Sequence, residues 1–141
     1  MQKCLHGVAP DVGFDKLLSI EELADASNGY VINDTCVFGV EVFVCQERRA
    51  GYGRSISMTN NAAKYTHVWK IEKFSMLKDG YYCSKPFTAA NQRWEIHIYP
   101  KGDGASKGTH LALYLTLAEA EKLQPQWRSQ DFGLGGASHK Y

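Results

Sequence analysis

The sequence predicts an all-β protein, a partial antiparallel β-sandwich. Short runs of alternating apolar and polar residues recur along the chain, turn residues separate them, and a helix signature precedes them in one short segment. The length of 141 residues suits one domain with a sizeable core. Hydrophobic residues make up 44% and charged residues 22%, so the composition favours a globular chain over a disordered one.

The clearest alternation lies in residues 93–99 and 110–117. Side chains two positions apart share one face of a strand. The first run therefore groups Trp94, Ile96 and Ile98. The second run places leucines on one face (Leu111, Leu113, Leu115 and Leu117) and other residues on the opposite face (Ala112, Tyr114 and Thr116). A third run, residues 66–74, groups Trp69 with Ile71, and we expect both tryptophans and the leucine face to form the core.

The first third of the chain carries a helix signal. Ser19 and Glu22 have the spacing of a capping box, in which each side chain satisfies a backbone group of the other residue. This predicts a short helix near residues 19–26. The dipeptide Asn28-Gly29 favours a turn with positive φ and should follow the helix.

Two strands are predicted next, over residues 30–33 and 36–45, with a bend at Asp34 or Thr35. The second strand is rich in Val and Phe, which favour extended backbone. Its side chains at even positions from Phe38 to Val44 share one face.

Residues 46–64 show weak periodicity and are predicted to be a linker, because loops of this length are uncommon inside a compact domain. We interpret the basic run within them, 46–49, as a solvated surface. Near the end, residues 118–122 favour a helix that Pro125 should end. Residues 124–141 have no period and are predicted to be a disordered tail.

The charge pattern excludes some function classes. The net charge is +1, without the clustered basic surplus of a nucleic-acid-binding protein. No window approaches the ~18 apolar residues of a membrane span. The first ten residues lack the apolar core of a secretory signal. We expect no nucleic-acid partner, no membrane association and a cytoplasmic location, with the nucleus as the alternative.

No catalytic or metal-binding pattern is recognised. The four cysteines form no C-x-x-C pair, and the five histidines show no i, i+4 spacing. Cys83 with His97 would be a thiol–imidazole pair only if a third group oriented them, and none is indicated. Gly102-Asp103-Gly104 predicts a turn. The chain is therefore predicted to have no catalytic residues, no metal and no cofactor, and not to be an enzyme.

Several stretches together resemble the MATH (meprin and TRAF homology, TRAF-like) domain. Residues 65–74 (YTHVWKIEKF), 84–87 (SKPF), 94–102 (WEIHIYPKG) and 110–115 (HLALYL) resemble its opening strands in order and spacing. Earlier in the chain, residues 13–18 (GFDKLL) and 29–44 (from GYVINDT onward) resemble its closing strands.

The resemblance implies an unusual organisation of the plant tandem-MATH type. Residues 1–45 would be the C-terminal part of a first MATH domain and residues 65–123 the N-terminal part of a second. The segments 46–64 and 124–141 are the linker and the tail. In the family fold the first and last strands pair. We therefore expect residues 36–45 to pair with residues 66–74 in a partial, circularly permuted TRAF-like sandwich; the alternative is two incomplete halves with exposed edges.

The resemblance implies a non-catalytic module that recognises short extended peptides, acting as a substrate adaptor in ubiquitin-linked pathways. Tyr114 matches a groove tyrosine of the family, with a surface tyrosine as the alternative. Phe14 matches an aromatic of the groove, with core packing as the alternative. Val12 stands where the family has Trp. The predicted peptide-binding residues are thus Tyr114, Phe14 and Val12.

The sequence alone leaves two other functions open. The chain could be a truncated, non-functional gene fragment, because residues 126–133 do not match the family's next strands. It could also be a detached piece of a MATH-containing deubiquitinase, whose catalytic boxes it lacks. A protein or peptide partner is expected, and the sequence leaves the oligomeric state unknown.

Overall fold

The structure is a computed structural model that describes residues 3–5, 11–49, 54–57, 63–118 and 131–135. Within these residues lie one α-helix, α1 (Ile20–Ala24), and 3₁₀ turns at Ala26–Asn28, Phe74–Met76 and Gly104–Ser106. The strands are β1 (Lys3–Leu5), β2 (Asp11–Ser19), β3 (Thr35–Arg49), β4 (Arg54–Ser57), β5 (Lys64–Glu72), β6 (Tyr82–Cys83), β7 (Phe87–Ala89), β8 (Gln92–Tyr99), β9 (His110–Leu117) and β10 (Asp131–Gly135).

The strands form two antiparallel sheets. Sheet 1 has the order β1-β10-β3-β4, with β5 also paired to β3. Sheet 2 has the order β2-β9-β8-β6, with β7 also paired to β8. The all-β prediction is confirmed.

β3 pairs with β5, as expected of a circularly permuted sandwich. Thr35 lies opposite Glu72, and the register runs without a break to Phe43 opposite Lys64. On the other side, β2 pairs with β9. Each segment of the sequence therefore supplies strands to both sheets, and the alternative of two separate halves is wrong.

The core lies between the sheets. From sheet 2 it takes Trp94, Ile96 and Ile98, all fully buried, together with the leucines of β9 (Leu111, Leu113, Leu115 and Leu117). From sheet 1 it takes Cys36, Phe38, Val40, Val42 and Ile71. The Trp94 indole N–H donates to the Ala89 carbonyl at 2.9 Å, so its one polar atom is satisfied. Trp69 is only partly buried but packs against this cluster, as predicted.

One small residue departs from the predicted pattern. Ala112 lies on the face of β9 away from the leucines, yet it is fully buried. It lies directly opposite Tyr99 in the neighbouring strand. A methyl group is short enough to be covered by the larger side chains beside it, so alternation alone did not predict its burial.

The helix prediction is confirmed in detail. The Ser19 hydroxyl accepts from the backbone N–H of Glu22 at 3.1 Å, and the Glu22 carboxylate accepts from the backbone N–H of Ser19 at 3.3 Å. Leu23 is the buried residue of α1. Gly29 ends the following 3₁₀ turn with φ of 69°, as the Asn28-Gly29 dipeptide indicates.

The predicted strand over residues 30–33 is wrong. Only Ile32 takes part in a bridge, to Thr35. Asn33 and Asp34 between them both have positive φ, 50° and 56°, which makes a tight two-residue turn. The predicted bend near Asp34 is present, but the residues before it form only this single bridge.

Strands also occur in segments predicted to lack them. β3 continues to Arg49 and pairs there with β4, within the predicted linker. β10 lies within the predicted tail and pairs with β1 and β3. The division into modules stays a prediction, and the helix predicted over residues 118–122 lies outside the described residues beyond Ala118.

Candidate peptide-binding face

The outer face of sheet 2 carries a contiguous set of rings. Tyr114 projects from β9 away from the leucine face and is partly exposed. The Tyr114 ring meets Tyr99 edge-on, with centroids 5.8 Å apart. Tyr99 contacts Tyr81 at 5.7 Å, and Tyr81 stacks on His97 at 5.4 Å. We call these four residues the outer aromatic row; it runs across β9, β8 and the residue before β6.

A glycine on β2 lets the row approach the edge of the sheet. Gly13 lies opposite Tyr114. A Cβ at position 13 would fall 2.5 Å from the Tyr114 Cδ1 atom and 2.2 Å from the Leu113 carbonyl oxygen. The tyrosine ring therefore packs directly on the backbone of β2 at Gly13. Any side chain at position 13 would force the ring or the neighbouring backbone to move.

The structure does not group the three predicted binding residues on one face. Val12 lies opposite Leu115 and Phe14 opposite Leu113, both of which are core residues. Directly opposed residues of an antiparallel pair share a face, so Val12 and Phe14 are on the core side and Tyr114 is on the outer side. Val12 packs against the core cluster, and Phe14 is partly buried.

β2 is an edge strand within the described residues, since it pairs there with β9 alone. Its register shifts between Phe14 and Leu18, whose partners on β9 are only two residues apart, Leu113 and Leu111. Such a bulge twists an edge and leaves backbone groups without ladder partners. The bulge disfavours pairing beyond Phe14, so the part of this edge that suits another extended segment is residues 11–14, beside the outer aromatic row.

Acidic groups surround the tyrosines. Burial raises the pKa of Tyr114, and the negative charges of Asp103, Asp15 and Asp11 raise it further. Burial and Asp103 also raise the pKa of Tyr99. Both hydroxyls therefore stay protonated as hydrogen-bond donors at neutral pH. Burial is the larger cause of both shifts, and the aspartates add a smaller electrostatic contribution of the same sign.

Cys83 and His97 lie directly opposite each other on β6 and β8. The sequence predicts no catalytic role for this pair. Burial and the neighbouring Glu95 carboxylate raise the pKa of the Cys83 thiol, which keeps it protonated and weakly nucleophilic. A thiolate nucleophile is therefore not supported. The donor atoms of Cys83, Glu95 and His97 nevertheless all lie within 4.8 Å of one another, which a search for local sequence spacing could not reveal.

A second concave region lies beside α1. This cavity of about 370 Å³ has mainly apolar walls, including Ile20, Leu23, Val31, Phe74 and Leu77. The Asp34 carboxylate in its wall accepts two hydrogen bonds from Ser75. One comes from the backbone N–H at 2.7 Å and the other from the hydroxyl at 2.9 Å. No residue of the outer aromatic row lines it, so it is a separate feature.

Part of the chain matches a known protein family. Residues 66–132 match the model of the MATH domain family. This range contains most of β5 and all of β6 to β9, and the match confirms the resemblance there. The tandem arrangement stays a prediction. The MATH domain is a protein-interaction module and is generally non-catalytic.

Individual relatives come from Arabidopsis thaliana. A MATH domain and coiled-coil domain-containing protein is 38% identical over 69 residues, which are 49% of this chain and 22% of the relative. TNF receptor-associated factor homolog 1a is 38% identical over 61 residues, 43% of this chain and 6% of the relative. Ubiquitin C-terminal hydrolase 13 is 34% identical over 68 residues, 48% of this chain and 6% of the relative.

The matched region is about a fifth of the length of the first relatives. No solved structure matches the chain. Among the described residues, no helix has both the length and the apolar character needed to cross a bilayer.

Proposed function

We propose that this chain binds an extended peptide, which adds as a strand along the outer edge of β2 and rests side chains on the outer aromatic row. The observation that carries the proposal is the juxtaposition of an edge strand with Tyr114 across Gly13. Backbone hydrogen bonds along the edge would supply affinity, and the rings would select alternate side chains. Tyrosines suit this purpose because they offer large contact area at small entropic cost.

The peptide in this proposal carries a basic side chain. Asp11, Asp15 and Asp103 lie close enough to Tyr114 to act on its hydroxyl electrostatically, although burial is the larger cause of its raised pKa, and these carboxylates would attract a basic side chain. A lysine or arginine over a tyrosine ring gains a cation–π contact as well as Coulomb attraction. In this proposal Val12 and Phe14 contribute their backbone groups to pairing with the peptide. Their side chains pack on the core side of β2 and hold the edge strand in position.

The proposal includes an adaptor role in ubiquitin-linked pathways of the cytoplasm or nucleus. Its support is that two of the relatives are a TNF receptor-associated factor homolog and a ubiquitin C-terminal hydrolase. The chain itself would contribute recognition and no catalysis.

The test is a screen of the full chain against an array of extended peptides with and without lysine or arginine, followed by titration of the peptides that bind. Tyr114→Ala should weaken binding about tenfold or more, the effect of removing roughly 1.4 kcal/mol of contact energy. Tyr114→Phe should retain most of the affinity because it keeps the ring. Val68→Ala, on the exposed face of sheet 1, is the matched control and should bind like the wild type.

Charge is tested separately with Asp103→Asn. The Asp103 carboxylate accepts from the Gly104 backbone N–H at 2.9 Å, and asparagine can keep this cap while removing the charge. We expect a loss of preference for basic peptides and a weaker dependence of affinity on salt. Binding that is unaffected by Tyr114→Ala at equal stability would show that the face is not the peptide site.

A further inference from the structure

A mixed set of donor atoms lies at the β6 end of the outer aromatic row. Cys83 on β6 faces His97 on β8 in register. Glu95 precedes His97 by two residues and therefore shares its face. The Nε2 atom of His97 is 3.3 Å from the Oε2 atom of Glu95, and the Cys83 sulfur lies within 4.8 Å of both.

We propose that Cys83, Glu95 and His97 form a zinc-binding site with three protein ligands and a fourth position for water. Thiolate, imidazole and carboxylate are the three side-chain ligand types that Zn²⁺ takes in proteins. A cation that is bound by all three must prefer borderline donors, which favours Zn²⁺ over Mg²⁺ or Ca²⁺.

The separations suit a tetrahedral ion. Bonds of about 2.0–2.3 Å place neighbouring donors roughly 3.3–3.7 Å apart. The imidazole and carboxylate are already at 3.3 Å, and the thiol needs to move by about an ångström at most. Because Cys83 is exposed on a two-residue strand, its side chain can rotate without disturbing the core.

The surroundings hold the ligands in place. The Tyr81 ring stacks on the His97 imidazole with 28° between the planes, which restricts its rotation. The side chains of His97 and Glu95 are 22% and 26% exposed, so the site is partly shielded from water but still reachable by an ion. On binding, Zn²⁺ would displace the Cys83 thiol proton to solvent and offset the repulsion between the resulting thiolate and the Glu95 carboxylate.

The experiment is a titration of the metal-stripped full chain with Co²⁺, which replaces Zn²⁺ and reports thiolate ligation by a charge-transfer absorption band. We expect the band to saturate at one equivalent and to disappear when Zn²⁺ is added. Cys83→Ser should abolish it. His97→Gln and Glu95→Gln should each weaken Co²⁺ binding about tenfold or more, in line with the loss of one ligand. His110→Gln, on the neighbouring strand, should bind like the wild type.

A second readout is stability, since a ligand that binds only the folded state raises the urea midpoint. Zn²⁺ should raise it in the wild type and leave it unchanged in Cys83→Ser. A Co²⁺ band that persists in Cys83→Ser, or the absence of a band in the wild type, would overturn the proposal. The site does not depend on the proposed peptide binding, and its titration uses no peptide, so the two can fail separately.

Discussion

His67 shows how one residue can couple stability to pH. It lies opposite the buried Val40 on the inner side of β5, and its ring stacks on Phe87 of sheet 2 with centroids 4.0 Å apart. Burial lowers the pKa of His67 below its ordinary value of 6.5. The folded state therefore favours neutral imidazole, whereas the unfolded chain binds the proton more readily.

The sign of the pH effect follows from this difference. Above the pKa of His67 in the unfolded chain, the imidazole is neutral in both states, and its contribution to the free energy of unfolding is fully present. As the pH falls below about 6.5, the unfolded state binds the proton first, so the folded state loses stability. We expect urea midpoints to fall from pH 7.5 to pH 5.5 in the wild type. His67→Phe, which keeps the stack, should reduce that fall, and His110→Gln should retain it. An unchanged fall in His67→Phe would assign the effect to other groups.

The candidate site was predictable only in part at this scale. Tyr114 was found because alternation in β9 turns it away from the leucines. Val12 and Phe14 were assigned by resemblance, and their opposition to Leu115 and Leu113 became visible only with the register of β2 on β9. Glu95 and His97 share one face of β8, but Cys83 reaches them only through the pairing of β6 with β8, which no spacing in the sequence marks.

At the scale of elements, α1 depends on its cap more than on its length. A five-residue helix has few internal hydrogen bonds, and Ser19 with Glu22 satisfies donors that would otherwise be unpaired. Ser19→Ala should lower the free energy of unfolding by about 1 kcal/mol, whereas Ser19→Thr should retain most of it. Urea denaturation followed by circular dichroism measures both. Equal stability of Ser19→Ala and the wild type would mean that packing of Leu23 alone holds the helix.

The sequence predicts the strands well where one face is buried, and poorly where a tight turn sets the end of a strand. β8 and β9 alternate because each covers the core on one side, and their residues match the prediction closely. The Asn33-Asp34 and Ala90-Asn91 turns, all with positive φ, instead depend on backbone conformations that few sequence signals mark. β4 and β10 lie in weakly periodic segments, where pairing with β3 rather than residue pattern creates the strand.

At the scale of the whole molecule, the two segments of the chain are interleaved. Sheet 1 joins β3 to β5 and sheet 2 joins β2 to β9, so neither segment can bury its apolar face alone. Resemblance predicted the β3–β5 pairing, because the strand order along the chain is that of a permuted sandwich.

Interleaving predicts one cooperative transition. Val42 is fully buried in the first segment, whereas Trp94 is fully buried in the second. Val42→Ala should lower the free energy of unfolding by about 2 kcal/mol, from roughly 0.8 kcal/mol per lost methylene plus a cavity term. Tryptophan fluorescence and circular dichroism should shift together in urea.

A different outcome would change the interpretation of the chain. If Val42→Ala moved the dichroism transition but left the fluorescence transition in place, the segments would unfold separately. A non-cooperative melt of the wild type would favour the non-functional gene fragment over a binding module.

The pairing of Asp11 with Thr116 also bears on how the protein is made. A ribosome releases β2 and the Val- and Phe-rich β3 well before β5 and β9 exist. The nascent polypeptide must therefore carry unsatisfied apolar strands until β5 and β9 emerge, a state that promotes aggregation. Its yield in a living cell should be governed by how well chaperones shelter those strands until the last partners emerge.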